Sequence, residues 1–413
     1  SSIIIGVPQT FPARAHSGIT IAGFPASRSG GAFTYPPDLN VELDQMGGGA
    51  YLEDIVDFRK KPLSELATEL RQMVDRRFNI AERLLISEPW DFFMMVEIAP
   101  DRAHHTFWRF FDPEHPRHEV NEQFAQVIPD LYTHLDSRIS QLMSLMDDET
   151  TVMIVSDHGA MPSFGGVCLN EWLIEQGYLH LNCDIEKVCR LEPTMIDWNR
   201  TTVWGEGGYY GRIFLNVKGR EPNGVIDPEN YDQFREDLSW KLARLGASDG
   251  TVERHSVFRP EDLYSETKNV PPDLIVYFDG LKRRALSIIG TGEILVDGDG
   301  FSLDDCNHDP FGIFISANLS DLRSGRNVNE TIEGLTCKDV YSSIINNYEI
   351  QKTHDRRFVV VDFPENVHIQ SEINYDQHVM TTQGAPQPTV HQEKGFSEEE
   401  QEIVRKRLEE LGY

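Results

Sequence analysis

The chain has 413 residues, of which 39% are hydrophobic and 25% charged, which is enough apolar sequence to bury a core and to exclude wholesale disorder. Its 67 acidic and 38 basic side chains give a formal charge of −29, which argues against nucleic acid or an anionic membrane as a partner, because both would be repelled. Five cysteines without a CxxC pair indicate neither a disulfide framework nor a zinc–thiolate site, and no run approaches the ~18 apolar residues of a membrane-spanning helix.

The chain opens directly on an apolar, β-branched run. Residues 3–7 predict a buried strand that pairs on both sides, and a strand so placed indicates a segment upstream of Ser1. Residues 11–50 are rich in Gly, Pro and Ser and predict irregular surface structure with turns. Residues 64–86 carry apolar side chains at helical spacing and predict an amphipathic helix.

The next part of the chain alternates strand, helix and strand. Residues 91–99 are short and nearly all apolar, and they predict a strand buried on both faces that ends at Pro100. A helix is predicted at about residues 122–146, followed by a second fully buried strand at residues 151–155. This order is a parallel βαβ unit, so the sequence predicts an α/β fold with a doubly wound, mostly parallel sheet.

Shorter, turn-punctuated pieces beyond this unit indicate an inserted or covering region. We therefore divide the chain into a first core part at residues 1–164, the inserted region at 165–300, a return of the core at 301–360, and a surface tail with a terminal helix at 361–413. In the return part, residues 312–315 predict a core strand and residues 339–346 a helix. In the tail, residues 397–411 predict a charged helix with a capping box.

Two of the predicted strands are each followed by a carboxylate and an imidazole. Asp101 follows the first strand at the position of a helix N-cap, and His105 lies four residues on, facing the same side of a helical turn. Asp157 and His158 follow the second strand, and His308 lies in a polar loop ahead of a later strand. Ligands of open α/β sheets collect at the carboxyl ends of the strands, so these side chains are candidates for one site.

This combination of residue types favours a metal site. Carboxylates with imidazoles are typical of zinc and manganese sites, whereas calcium and magnesium prefer shells of oxygen alone. The structural alternative is that each Asp is a helix cap and each His an ordinary core or surface residue. Two such pairs with a third histidine favour the metal site.

Three neighbouring features have both a functional and a structural interpretation. Arg102 and His104 could reach a substrate, and a solvated face explains them at least as well. The Trp- and Tyr-rich segment at 204–210 could stack on a nucleobase, although packing of a Gly-rich turn is favoured. The segment at 112–118 could add histidine ligands, but its prolines favour a capping loop.

With these motifs in this order, the sequence resembles the alkaline phosphatase superfamily, specifically its type I phosphodiesterase and nucleotide pyrophosphatase branch. The resemblance rests on Asp101 and His105, on the segment Ser156-Asp157-His158-Gly159 and on His308. Phrases at 6–10, 204–209, 215–222 and 272–274 are also similar to bacterial and archaeal members, so it covers essentially the whole chain. It implies an alkaline-phosphatase-like fold with an inserted covering region.

The family pattern implies two divalent metal ions, zinc or manganese. One ion would take Asp101, His105 and His308 as ligands. The other would take Asp157 and His158, together with an Asp and a Thr or Ser nucleophile from the leading part of the domain.

The chain departs from the family pattern in that leading part. In the family pattern the first strand carries an Asp-Gly pair and is soon followed by the nucleophile, and nothing before Gly6 can supply either. The Asp-Gly pairs at Asp249, Asp279, Asp297 and Asp299 lie too late in the chain. We therefore expect the nucleophile upstream of this chain and assign no catalytic residue within it. Because a metal-bound histidine needs an acceptor at its other ring nitrogen, Asp304, Asp305 or Asp309 could serve His308.

The implied reaction is metal-dependent hydrolysis of a phosphodiester or nucleotide pyrophosphate bond in a small phosphorylated substrate such as a nucleotide. A phosphomonoesterase or phosphomutase of the same superfamily is the sibling alternative, and a non-catalytic metal-binding protein applies if Ser1 is the true start. A sulfatase is disfavoured, because no Cys-x-Pro-x-Arg or Ser-x-Pro-x-Arg stretch is present. Sparse cysteines and the lack of a signal favour the cytoplasm, although a segment upstream of Ser1 could carry a signal. The substrate-binding residues and the oligomeric state stay open.

Overall fold

The computed structural model describes residues 1–26, 28, 32–246, 255–297, 304–325, 335–351 and 358–362. They divide into two compact units. Unit 1 comprises Ser1–Arg102, Pro129–Gly159 and the described residues from Phe311 onward, and unit 2 comprises Ala103–Ile128 and Ala160–Pro310. The predicted helix at 397–411 lies outside the described residues.

The strands, in chain order, are β1 (Ser2–Ile5), β2 (Gly18–Ile21), β3 (Thr34–Tyr35), β4 (Phe92–Val96), β5 (Thr151–Val155), β6 (Gly159–Pro162), β7 (Gly166–Cys168), β8 (Cys189–Arg190), β9 (Val203–Glu206), β10 (Gly211–Leu215), β11 (Ser256–Phe258), β12 (Leu274–Tyr277), β13 (Arg284–Leu286), β14 (Ile288–Ile289), β15 (Leu295–Val296), β16 (Cys306–Asp309), β17 (Phe314–Asn318) and β18 (Phe358–Asp362). The α-helices are α1 (Leu39–Gly47), α2 (Leu63–Ser87), α3 (Ala99–Phe111), α4 (Glu122–Ala125), α5 (Val127–Ser144), α6 (Leu169–Glu175), α7 (Tyr231–Leu242), α8 (Pro260–Leu263), α9 (Leu319–Arg323) and α10 (Cys337–Gln351). None of the helices in the described part of the chain combines the length and apolar character needed to cross a bilayer.

Unit 1 is built on a seven-stranded sheet in the order β17-β5-β18-β4-β1-β2-β3. The five inner strands run parallel to one another, and the two edge strands are antiparallel to their neighbours. β1 pairs with β4 on one side and with β2 on the other, so the predicted strand with two neighbours is confirmed. The α/β class with a mostly parallel sheet is observed, and the doubly wound arrangement stays a prediction.

Local apolar patterns account for most of this unit. The predicted helix at 64–86 is α2, and the side chains that define its apolar stripe are buried: Leu66, Leu70, Met73, Phe78 and Leu84. Both predicted strands of the βαβ unit are present as β4 and β5. They are parallel but not adjacent, because β18 lies between them. Burial in β4 alternates between half-buried and buried residues, so it is not buried evenly on both faces as predicted.

Several predicted elements are wrong in extent or type. Residues 11–50 contain β2, β3 and α1 instead of the predicted irregular structure. β2 is only four residues long, and pairing with β1 allows so short a run to form a strand. The helix at 122–146 is divided into α4 and α5, since Pro129 has no N–H to continue the ladder.

The return part of the chain also differs from its prediction. The strand near residues 312–315 is β17, an edge strand whose Ile315 is 48% exposed and not part of the core. The helix at 339–346 is the longer α10.

Unit 2 contains smaller sheets around a separate apolar core. A four-stranded antiparallel sheet has the order β11-β12-β10-β9, and a three-stranded sheet has the order β13-β7-β15. The shorter pairs are β14 with β8 and β16 with β6. The core of the unit includes Val203, Ile213, Leu215, Leu274 and Phe278. β16, which carries His308, pairs with β6.

The first prediction concerns the close approach of two backbones at the ends of β1 and β2. A Cβ on Gly23 would lie 2.2 Å from the Gly6 carbonyl oxygen and 2.4 Å from that of Val7. Because backbone atoms cannot rotate away, we expect Gly23→Ala to lower the free energy of unfolding by about 1–3 kcal/mol, as overpacking does. Urea unfolding followed by circular dichroism measures this change.

The matched control is Gly47→Ala in α1. A Cβ there would meet its nearest neighbours at 3.4 Å, an ordinary contact, and alanine favours a helix over glycine by about 1 kcal/mol. The control should keep or raise the unfolding midpoint. Equal midpoints for the two variants would contradict the close approach.

Candidate metal centre

α3 carries two of the predicted ligands, and it begins earlier than predicted. Glu97 Oε1 accepts a hydrogen bond from the Ala99 N–H at 2.9 Å, which satisfies a donor at the start of the helix. Pro100 then lies in the first turn, where its missing N–H costs nothing. Asp101 is therefore inside the first turn, and the predicted N-cap at Asp101 is wrong.

Asp101, His105 and His308 converge. Their ligand atoms all lie within 4.8 Å of one another. Among the residues that the structure describes, these three side chains form a group that is close enough together to hold one metal ion. The ring centroids of the two histidines are 5.5 Å apart. His105 is buried and the other two are half-buried, so the group combines one carboxylate with two imidazoles away from bulk water.

His308 reaches this group from a strand instead of the predicted loop. It lies in β16, whose sequence Cys-Asn-His-Asp has no apolar alternation. Polar residues of this kind do not signal a strand, and pairing with β6 provides the extended backbone. The neighbouring Cys306 lies with its Sγ 3.7 Å from His105 Nδ1.

A buried carboxylate orients His105. Asp304 Oδ2 lies 3.2 Å from His105 Nδ1 and accepts a hydrogen bond from Arg284 Nη1 at 2.6 Å. A carboxylate at Nδ1 holds the ring proton there, and the lone pair that a metal needs is then on Nε2. Asp304, one of three residues offered by the sequence as a partner for His308, thus contacts His105.

Asp305, the next residue, is a second buried carboxylate. Arg117 Nη2 lies 3.3 Å from its Oδ1 and Arg109 Nε lies 3.6 Å from its Oδ2. Burial is the largest effect and raises the pKa of Asp305 to about 6, although the two arginines lower it.

Tyr209 borders both histidines, and the sequence named it only as part of the aromatic segment 204–210. Its ring centroid is 3.9 Å from that of His308 and 5.8 Å from that of His105. The sequence favours packing for the segment 204–210, and Trp204 does pack, on Phe214 at 5.4 Å. Tyr209 lies between β9 and β10, and only the position of that connection brings it to the candidate ligands.

Asp157 and His158 are not part of the group of three. They follow β5, with His158 Nε2 lying 3.6 Å from Asp157 Oδ1, and the Asp157 side chain is 72% exposed. His158 Nδ1 is 2.8 Å from the Gly159 carbonyl oxygen, which fixes the orientation of the ring. The structure therefore brings three of the predicted ligands together and places the other two at the end of β5.

The remaining candidates near α3 have structural surroundings. Arg102 and His104 are 0% and 1% exposed, so neither lies on a solvated face or reaches a substrate from the surface. His104 packs edge-on against Trp108. His115 stabilises the loop at 112–118. Its Nε2 lies 2.8 Å from the Asp305 carbonyl oxygen, and its Nδ1 accepts a hydrogen bond from the Arg117 N–H.

The second prediction follows from the raised pKa of Asp305. A carboxyl group whose pKa is higher in the folded than in the unfolded protein stabilises the fold below its unfolded pKa of 3.8, and this contribution is lost as the pH rises through about 6. Asp305→Asn stays neutral throughout. The unfolding free energy of the unchanged protein should therefore fall relative to the variant by about 2–3 kcal/mol between pH 4 and pH 7.

Thermal and urea unfolding of the two proteins at matched pH values measure this difference. Since only the change with pH is compared, any constant cost of the lost arginine contacts cancels. A difference that stays constant from pH 4 to pH 7 would contradict the assignment.

Comparison with known proteins gives one family. The family model described as type I phosphodiesterase / nucleotide pyrophosphatase matches residues 19–281, more than half of the chain. Searches of curated proteins and of solved structures give no significant match. The match includes both predicted Asp/His pairs, and the mixed α/β architecture is consistent with the alkaline-phosphatase-like fold of this family. The chain therefore belongs to the type I phosphodiesterase / nucleotide pyrophosphatase family, a family of hydrolases within the alkaline phosphatase superfamily.

Proposed function

We propose that this chain carries the metal-binding part of a phosphoric ester hydrolase that acts on phosphodiester or nucleotide pyrophosphate bonds. The observation that carries the proposal is the convergence of Asp101, His105 and His308 in a chain of this family. The substrate class follows from the family and the metal requirement from the donor set.

The donor set fits zinc or manganese. One carboxylate and two imidazoles are ligands that these ions accept, and the Asp304 carboxylate holds His105 in the tautomer that a metal requires. When bound, a divalent ion would withdraw charge from a phosphoryl oxygen and lower the pKa of an attacking hydroxyl or water. A local positive centre also suits a chain with a formal charge of −29 that has to hold an anion.

The chain's own residues have separate roles in this proposal. Asp101, His105 and His308 are ligands, and Asp304 orients His105. Tyr209 packs on the His308 ring and limits its movement and its access to water. Asp157 and His158, at the end of β5, are proposed for a second ion. None of these groups is proposed as the nucleophile, which the family pattern assigns to a Thr or Ser in a leading segment.

The third prediction concerns the candidate ligands. We expect the unchanged protein to bind zinc or manganese. Asp101→Asn and His308→Ala should each lower that affinity by more than about 100-fold, because loss of a group that only hydrogen-bonds to a ligand already lowers metal affinity by about 10–100-fold. Titration against a chromophoric chelator measures the affinity. His180→Ala, a half-buried histidine outside the group, is the matched control and should bind like the unchanged protein.

Hydrolysis is measured on the same proteins. Bis(p-nitrophenyl) phosphate reports diester cleavage and p-nitrophenyl phosphate reports monoester cleavage, so their ratio separates the proposed activity from a phosphomonoesterase. Because no residue of this chain is proposed as the nucleophile, metal binding without turnover of either probe agrees with the proposed metal-binding part. Turnover of the diester would show that this chain supplies a nucleophile of its own. If the unchanged protein binds neither ion, the proposed function is wrong.

A further inference from the structure

A buried arginine links Asp101 to a second carboxylate that lies 47 residues earlier in the chain. The Arg102 side chain contacts Asp54 twice, with Nε donating to Oδ1 at 3.0 Å and Nη2 donating to Oδ2 at 2.7 Å. Its Nη1 donates to Asp101 Oδ2 at 2.9 Å. One guanidinium group therefore spans two carboxylates.

The surroundings fix the direction of this guanidinium group. Arg102 and Asp54 are both 0% exposed, and the Arg102 Cζ lies 4.8 Å from the centroid of the Phe58 ring. Asp54 Oδ1 also accepts a hydrogen bond from the Ile55 N–H at 2.7 Å. Because a planar guanidinium bound at two positions cannot rotate, the direction of its Nη1 is set by Asp54.

The charges in this chain of contacts leave Asp101 able to bind a cation. Two carboxylates and one guanidinium sum to one negative charge. An arginine that faced Asp101 alone would cancel the charge of that ligand and compete with a metal ion. With Asp54 present, the charge of the arginine is compensated elsewhere, and its Nη1 donates to Asp101 at Oδ2. A carboxylate has capacity for further partners on both of its oxygens.

We propose that Asp54 and Arg102 are positioning residues for the metal ligand Asp101. Arg102 fixes the Asp101 carboxylate through Oδ2, and Asp54 fixes Arg102 and neutralises it, so that Asp101 keeps its negative charge for the metal. This inference rests on the proposed function, because it assigns the two residues a role at the same site.

The fourth prediction is an affinity change with a defined reversal. Asp54→Asn leaves the positive charge of Arg102 on Asp101 alone and should weaken zinc binding by about 10–100-fold. The double variant Asp54→Asn/Arg102→Gln restores the net charge of the three positions and should recover most of that loss. A purely structural role of the pair predicts instead that the double variant binds no better than the single one.

The matched control is a pair in which an arginine with a 43% exposed side chain binds a buried aspartate twice. Arg220 donates to Asp273 through Nη1 at 2.6 Å and through Nη2 at 2.8 Å, and Asp273 also contacts Leu215 and Tyr231. Asp273→Asn removes a carboxylate of the same kind. It should lower the unfolding midpoint but leave the zinc affinity within about twofold of the unchanged protein, since none of these contacts involves a candidate ligand.

Chelator competition with zinc, on the full chain after removal of metal, measures all affinities, and circular dichroism verifies folding. If Asp54→Asn does not fold, Arg102→Lys replaces it, because lysine keeps the charge but cannot span both carboxylates and should bind zinc about tenfold more weakly. Affinities of the variants equal to that of the unchanged protein overturn this inference alone. An unchanged protein that binds neither zinc nor manganese overturns the proposed function together with it.

Discussion

Buried charge is the constraint on which the region around α3 depends. A charged side chain away from water is stable only when another charge or a set of hydrogen bonds compensates it, and the helix start is surrounded by such groups. Arg77 and Glu97 form one buried ion pair, and the Glu97 carboxylate also accepts a hydrogen bond from the first N–H of α3. Arg102 and Asp54 form another one turn further along. The position of the helix start and the charge around the candidate ligand Asp101 therefore depend on neighbouring buried contacts.

In keeping with the strongly acidic composition, two buried carboxylates, Asp304 and Asp305, lie near the candidate site. Arg284 and Arg117 compensate the carboxylates of Asp304 and Asp305, and burial still dominates at Asp305, whose pKa is raised to about 6. Arginine suits these positions because its planar group bonds to several acceptors at once and stays charged. These two arginines thus stabilise buried carboxylates, and in the proposed function a divalent metal ion would supply the positive charge that a phosphorylated substrate requires.

Family and geometry support the same conclusion from independent directions. The family match places the chain in the type I phosphodiesterase / nucleotide pyrophosphatase family without reference to any side-chain contact. The convergence of one aspartate and two histidines forms a possible metal-binding group, and its donor set is of a kind that transition metals accept. The parallel sheet agrees with both the family match and the side-chain geometry. Asp101 and Asp157 each follow an inner strand of the sheet of unit 1, and open α/β sheets bind their ligands at the carboxyl ends of such strands.

By itself, the sequence determined what depends on near neighbours. Apolar spacing located α2, β4 and β5, and the four-residue interval between Asp101 and His105 placed both on one face of a helix. Tertiary structure alone decided which distant segments meet: it inserted β18 between β4 and β5, gave His308 a strand in place of a loop, and brought Tyr209 against its ring. It also buried Arg102 against Asp54, where the sequence suggested a solvated face. Apolar periodicity reflects which face of a short segment is buried. Strand order and charge pairing depend on the free energy of the whole folded core, and no local sequence pattern specifies them.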